Sequence, residues 1–264
     1  MSRISDTFAE LKRSRRGGFI PFITAGDPDL LTTELLLVEL AAAGADIIEL
    51  GVPFSDPVAD GEMIQRASER ARRNGVTLRD ALTCVSHVRQ YIDVPVVLFS
   101  YFNPLLKFGK DRLADEAKRA GVDGVLVTDL TPEEATPWTD AFRERGLDPI
   151  FLIAPTTSDE RVARIAQQSS GFIYAVSRAG VTGARDEIAD DAEALVKRVR
   201  SRSKLPIAVG FGISTPEQVR QVWRFADAAV IGSAIVSQVE KLGNSPNLVK
   251  CVGEFARSLV AADD

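Results

Sequence analysis

The sequence predicts an α/β protein: a single (β/α)8 TIM barrel spanning residues 1–264, with an extra helix before the first strand. Two observations carry that reading. Short apolar runs rich in Val and Ile recur at Gly18–Thr24, Ala45–Phe54, Pro95–Phe102, Gly124–Leu130, Pro149–Pro155, Phe172–Arg178, Pro206–Ile213 and Ala228–Val236. Near-continuous hydrophobicity is what a parallel strand needs when both of its faces are covered. Each run is followed by a polar, amphipathic stretch, and no linker or low-complexity segment breaks the alternation, which is the pattern of a closed barrel. An open doubly wound sheet is the runner-up architecture.

The elements follow in order. Ile4–Arg16 reads as the added helix, placed to cover the barrel bottom. The gap between the second and third runs is long enough for two helices, Glu62–Arg73 and Leu78–Tyr91. Three later helices have readable starts at Thr131-Pro-Glu-Glu134, Thr157-Ser-Asp-Glu160 and Thr215-Pro-Glu-Gln218, each with the spacing of a capping box.

Composition narrows the function. With 45% hydrophobic and 26% charged residues the chain suits a water-soluble globular fold with a sizeable core. A net charge of −5 gives no general attraction for a polyanion, so no nucleic acid is expected as a partner. Leu35–Phe54, the most apolar stretch, is interrupted by Glu39, Asp46 and Glu49, so no membrane span is expected. The N-terminal residues 1–18 are charged throughout and contain no apolar run of the kind a secretory signal has. Cys84 and Cys251 are isolated, which suits a reducing compartment, and a cytoplasmic location is expected.

The chemistry is concentrated at strand ends. Glu49 stands in Asp46-Ile-Ile-Glu-Leu-Gly51, a run that otherwise belongs in a core. Alternation puts it on one face with Ile47 and Gly51, near the C-terminal strand end where barrel enzymes hold their active sites. Burial there should raise its pKa and make it a proton donor or acceptor near neutral pH; the alternative is a structural carboxylate paired with an arginine. Asp60, in Phe54-Ser-Asp-Pro-Val-Ala-Asp-Gly61, is either a second carboxylate at the same mouth or simply the cap of the following helix. Gly-rich turns end the last three strands, at Ala179-Gly-Val-Thr-Gly183, Gly210-Phe-Gly-Ile213 and Ile231-Gly-Ser-Ala234. In a barrel this placement suits a phosphorylated substrate held by backbone amides. His87 is the only histidine and lies in a helix pattern, and no apolar run contains a lysine. A His-based metal site and a strand-borne Schiff base are therefore not expected, which leaves carboxylate acid–base chemistry.

These segments, taken together, resemble the tryptophan synthase alpha family along nearly the whole chain. The resemblance begins at Pro21-Phe-Ile-Thr-Ala-Gly-Asp-Pro28 and is most specific at Ile48-Glu-Leu-Gly-Val-Pro-Phe-Ser-Asp-Pro-Val-Ala-Asp-Gly61. It continues through Ser100-Tyr-Phe-Asn103, Ser177-Arg-Ala-Gly-Val-Thr-Gly183, Gly210-Phe-Gly-Ile-Ser214 and Gly232-Ser-Ala-Ile-Val236. It implies a lyase of tryptophan biosynthesis that cleaves indole-3-glycerol phosphate to indole and glyceraldehyde 3-phosphate by a retro-aldol reaction. By resemblance, Glu49 handles proton transfer and Asp60 bonds the indole N–H and stabilises the indoleninium. Phe22, Phe99, Tyr101, Tyr174 and Phe211 become candidates for the indole pocket, with the Tyr174 hydroxyl placed to orient Glu49. Gly183, Gly212, Gly232 and Ser233 match positions that hold the phosphate, and 179–190 matches a lid in which Thr182 meets the Asp60 side on closing.

The same resemblance implies no cofactor in this chain and a pyridoxal-phosphate-dependent beta subunit as partner, in an α2β2 heterotetramer. Asp56 with its loop, and Asn103-Pro104, would face that partner. One departure is visible: Thr131 separates Asp129-Leu130 from Pro132, where the family usually has proline directly, and this alters the loop after the fourth strand. Two other functions remain open on sequence grounds. One is a free-standing indole-releasing lyase with the same catalytic residues; the other is a non-catalytic activator of the beta subunit, which intact Glu49 and Asp60 disfavour. Indoleglycerol phosphate synthase is disfavoured by the missing strand lysine.

Overall fold

The computed structural model describes residues 2–176, 185–210 and 212–261, with 185–190 described by backbone alone. Each apolar run contains one strand: β1 (Gly18–Thr24), β2 (Ile48–Gly51), β3 (Val96–Ser100), β4 (Gly124–Val127), β5 (Asp148–Ile153), β6 (Ile173–Val176), β7 (Ile207–Gly210) and β8 (Ala228–Ile231). Neighbours in sequence pair in parallel, and β8 returns to β1 to close the barrel. Closure decides against the open doubly wound sheet. The helices are α1 (Arg3–Ser14), α2 (Leu30–Ala42), α3 (Glu62–Arg73), α4 (Leu78–Val88), α5 (Phe102–Phe108), α6 (Lys110–Ala120), α7 (Thr136–Glu144), α8 (Asp159–Gln168), α9 (Arg185–Arg200), α10 (Pro216–Trp223), α11 (Ser233–Leu242) and α12 (Leu248–Val260).

Most strands are shorter than their apolar runs, for local reasons. In the second run, Asp46 stops short of the strand because its carboxylate accepts from the Phe19 amide at the barrel bottom, 2.8 Å away. Past Gly51 the ladder ends at Pro53, which has no N–H to give. Alternation then sorts the strand residues into two layers. Ile48 and Leu50 point outward and pack under the helices. Ile20, Ile47, Val97, Leu126, Ile150 and Val230 fill the barrel interior. The predicted N-terminal helix closes the bottom of that interior: Ile4, Phe8 and Leu11 of α1 join the same cluster, with the Phe8 and Phe172 rings 5.7 Å apart. It ends at Arg15, whose left-handed φ of 54° turns the chain back toward β1.

Of the three predicted helix starts, Thr215 caps α10 as expected, with Pro216 in the first turn and a reciprocal bond from Gln218. At α8 the cap is one residue later, Ser158, because the Thr157 hydroxyl instead accepts from the Ala154 amide. Thr131-Pro-Glu-Glu134 starts no helix; it is a turn, with the Glu134 amide donating to the Thr131 carbonyl at 3.1 Å, and α7 begins at Thr136. A second proline, Pro137, fits only the first turn of a helix and so sets the later start.

Candidate active site

The parallel register sets Glu49 beside Phe22 of β1 and Val97 of β3, and Gly51 beside Phe99. Glu49 is 1% exposed, and neither carboxylate oxygen has a hydrogen-bond partner among the described residues. Burial alone pushes its pKa up to about 8. The structural alternative, a carboxylate neutralised by arginine, is what happens elsewhere: buried Asp27 takes both prongs of the Arg70 guanidinium at 2.8 Å. An unpaired buried carboxyl is destabilising unless protonated, and it is kept in folds for chemistry more readily than for stability.

Asp60 lies on the loop between β2 and α3. It does not cap α3, whose N-cap is Gly61 and which has no side-chain cap. The loop is held from three sides. Ser68 of α3 exchanges two hydrogen bonds with the Phe54 backbone, at 2.8 and 3.0 Å. Gln65 donates to the Asp60 carbonyl at 2.8 Å, and the Tyr101 hydroxyl accepts from the Ala59 amide at 3.0 Å. Burial raises the Asp60 pKa to about 6, while the Tyr101 hydroxyl beside the carboxylate works in the opposite direction. Near neutral pH the two carboxyl groups therefore differ: Glu49 is mostly protonated and Asp60 mostly ionised.

An aromatic cleft opens beside Asp60 and over Phe22, the β1 neighbour of Glu49. Phe22, Gly51, Phe54, Asp60, Phe99 and Tyr101 line it. The Phe22 and Phe99 rings meet edge to face at 5.3 Å, and Phe54 stacks on Tyr101 at 5.1 Å. Gly51 makes room for this arrangement, since a Cβ there would sit 2.5 Å from the tip of the Phe22 ring. Thr24 lines the same cleft with a buried hydroxyl that has no partner among the described residues, and it escaped the sequence reading. The signal was available: Thr24 is two residues from Phe22 on the same strand and so shares its face.

Tyr174 on β6 is close enough that the charges of Glu49 and Asp60, added to burial, hold its hydroxyl well above the usual range. Its ring end occupies the space that Gly210 leaves: a Cβ there would fall 2.0 Å from the hydroxyl oxygen. The expected orienting bond is absent, since the Glu49 oxygens have no partner among the described residues.

Of the phosphate candidates, Gly232 is the N-cap of α11 and Ser233 its first residue, with no acidic side chain in the first turn. Gly212 has φ +55°, a conformation that favours glycine. Phe211, Thr182 and Gly183 lie outside the described residues, as does the 179–190 lid apart from its helical backbone from Arg185. No cluster of metal-ligating side chains occurs among the described residues, and His87 is exposed on α4, bonded to Glu34 at 2.8 Å.

The loop after β2 and helix α5 also border a second cleft, lined by Val52 to Ser55 on one side and Asn103, Pro104, Lys107 and Phe108 on the other. On the same two segments Val58 and Leu106 are exposed.

The family model for the tryptophan synthase alpha chain matches residues 8–262. The chain belongs to that family. It is 52% identical to the tryptophan synthase alpha chain of Citrifermentans bemidjiense, over 98% of this chain and 97% of that one. Among solved structures, the tryptophan synthase alpha subunit from Legionella pneumophila superposes with a TM-score of 0.91 at 38% identity, covering 98% of this chain and 97% of that chain. A tryptophan synthase complex from Pyrococcus furiosus contains a chain similar at TM-score 0.85 and 37% identity, covering 92% of this chain and 98% of that one. The expected family and barrel are thus both found.

Proposed function

We propose that this chain is a lyase that cleaves indole-3-glycerol phosphate to indole and glyceraldehyde 3-phosphate, with Glu49 as its proton donor and acceptor and Asp60 as the carboxylate that stabilises the charged indole. The observation that carries this reading is the buried Glu49 carboxyl, unpaired among the described residues and with a pKa of about 8, beside Phe22, which lines the same aromatic cleft as Asp60 at about 6. Protonated Glu49 gives its proton to indole C3, and the ring nitrogen becomes positive. Ionised Asp60 accepts the indole N–H and stabilises that charge in a site sheltered from water. The Glu49 carboxylate then takes the proton of the hydroxyl on the adjoining side-chain carbon. As that oxygen becomes a carbonyl, the carbon–carbon bond breaks and its electron pair neutralises the indoleninium, so Glu49 ends protonated again.

Phe22, Phe99, Tyr101, Tyr174 and Phe211 are the proposed indole contacts, and Thr182, Gly183, Gly212, Gly232 and Ser233 the contacts of the phosphate end and the lid. The helix starting at Ser233 supports the phosphate assignment, because its first amides and its dipole favour an anion. We take residues 1–264 as one domain acting in the cytoplasm without a cofactor of its own; the free thiols of Cys84 and Cys251 suit a reducing compartment. The proposed partner is the beta subunit, carrying pyridoxal phosphate, in an α2β2 heterotetramer. The cleft between the loop after β2 and α5, with exposed Asp56, Val58 and Leu106, supports a docking surface there.

The test is indole release from indole-3-glycerol phosphate by the purified chain and two variants. Glu49→Gln should lose at least about 10²–10⁴-fold in turnover, the range of general acid–base catalysis. Asp60→Asn should lose activity comparably with an unchanged melting temperature. A Glu49→Gln variant retaining more than about a tenth of turnover would remove Glu49 from the chemistry.

A further inference from the structure

The opposite end of the barrel carries a groove of about 310 Å³ between α1, the segment before β7 and the end of α10. Five cationic side chains line it, Lys12, Arg15, Arg16, Arg200 and Lys204, against a single carboxylate, Asp227. Two of the five are neutralised: Arg16 forks onto Asp46, and Arg200 meets Asp227 at 2.9 Å. Lys12, Arg15 and Lys204 have no side-chain partner among the described residues, so three positive charges converge uncompensated on a chain whose net charge is −5. The groove has a fixed apolar wall as well. The Trp223 indole N–H donates to the Gly18 carbonyl at 2.9 Å, and its ring lies so close to Gly17 that a Cβ there would be 2.1 Å away.

Arg15 adds an observation of a different kind. It is the one non-glycine residue with positive φ among the described residues, at the helix C-cap where glycine is the relaxed choice. A strained backbone position that holds a charged side chain at the mouth of a groove points to a use for that side chain. Guanidinium and ammonium groups from two segments, α1 with its C-cap and the stretch before β7, match a phosphate-bearing anion, which accepts from each without requiring a single geometry. We propose that this groove binds a small multivalent phosphate, of the pyrophosphate class, at the end of the barrel remote from Glu49 and Asp60.

Titration calorimetry of the full chain with inorganic pyrophosphate at low ionic strength tests this. The wild type should bind saturably in the micromolar to low-millimolar range. The double variant Lys12→Glu/Lys204→Glu should lose one site or weaken it by at least about tenfold, as like charges now face the anion. Arg15→Gly is the sharper variant, because glycine fits the backbone better: its melting temperature should hold or rise while pyrophosphate affinity falls. Indole release should be unchanged in both, which separates this groove from the anion site at α11. Isotherms of either variant superimposable on wild type would overturn the proposal, as would the absence of saturable binding below about 5 mM in the wild type.

Discussion

Two buried carboxylates show how differently the same group is used. Asp27 is 3% exposed and answered by Arg70, which also holds Glu240 at 2.6 Å; Glu49 is 1% exposed and answered by nothing among the described residues. Glu49 was legible in the sequence because a charge inside an apolar run is conspicuous. Asp27 was not, since Gly26-Asp-Pro28 reads as a turn and its partner lies 43 residues away. The contrast has a consequence for stability. The Glu49 pKa rises from 4.5 to about 8 on folding, so its favourable contribution is fully present below about 4.5 and is lost as pH climbs through about 8. Glu49→Gln cannot titrate. Its stability relative to wild type should therefore increase between pH 5 and pH 8.5, with a slope of at most ~1.4 kcal/mol per pH unit. Urea denaturation at the two pH values measures this, and an equal difference at both would show that Glu49 ionises freely in the folded chain.

At the scale of elements, the site depends on α3 and α11 being held together. Arg66 and Arg70 of α3 both reach Glu240 of α11, and Arg70 also ties α3 to the loop after β1. That network fixes the helix following Asp60 against the helix that begins at Ser233. Ser233→Asp should weaken binding of glycerol 3-phosphate by at least about tenfold, by placing a like charge at the α11 N-terminus, while leaving the thermal transition in place. Equal affinity would put the anion elsewhere. Gly51→Ala should push Phe22 from its edge-to-face contact and lower indole release with little effect on phosphate binding, readable as kcat/KM against the dissociation constant of glycerol 3-phosphate. Helix starts were only partly legible. Thr215 is followed by Pro216 and an uninterrupted helix pattern, whereas Thr131-Pro-Glu-Glu134 competes with Thr136-Pro137 five residues on, and the later proline prevails. The capping residues were visible; which of two rival starts is used depends on how the loop after β4 packs.

Over the whole molecule, the barrel separates stability from chemistry by its two ends. At the bottom, Asp46, Asp123 and Asp227 each accept a backbone amide of a neighbouring strand and pair with an arginine, closing the strand starts. Sequence periodicity made the eight strands and the plugging helix legible, because parallel strands must be apolar on both faces. It did not reveal these bottom carboxylates, whose partners come from other strands. At the top, neither Glu49 nor Asp60 meets a cationic side chain among the described residues, and the two carboxyl groups hold opposite protonation states. That pairing is the central claim, and the pH dependence of kcat/KM for indole release by the isolated chain tests it most directly. The rate should rise as Asp60 ionises near pH 6 and fall as Glu49 loses its proton near pH 8, with the lower limb abolished in Asp60→Asn. A flat profile between pH 5 and pH 9, or limbs unaltered by that substitution, would contradict it.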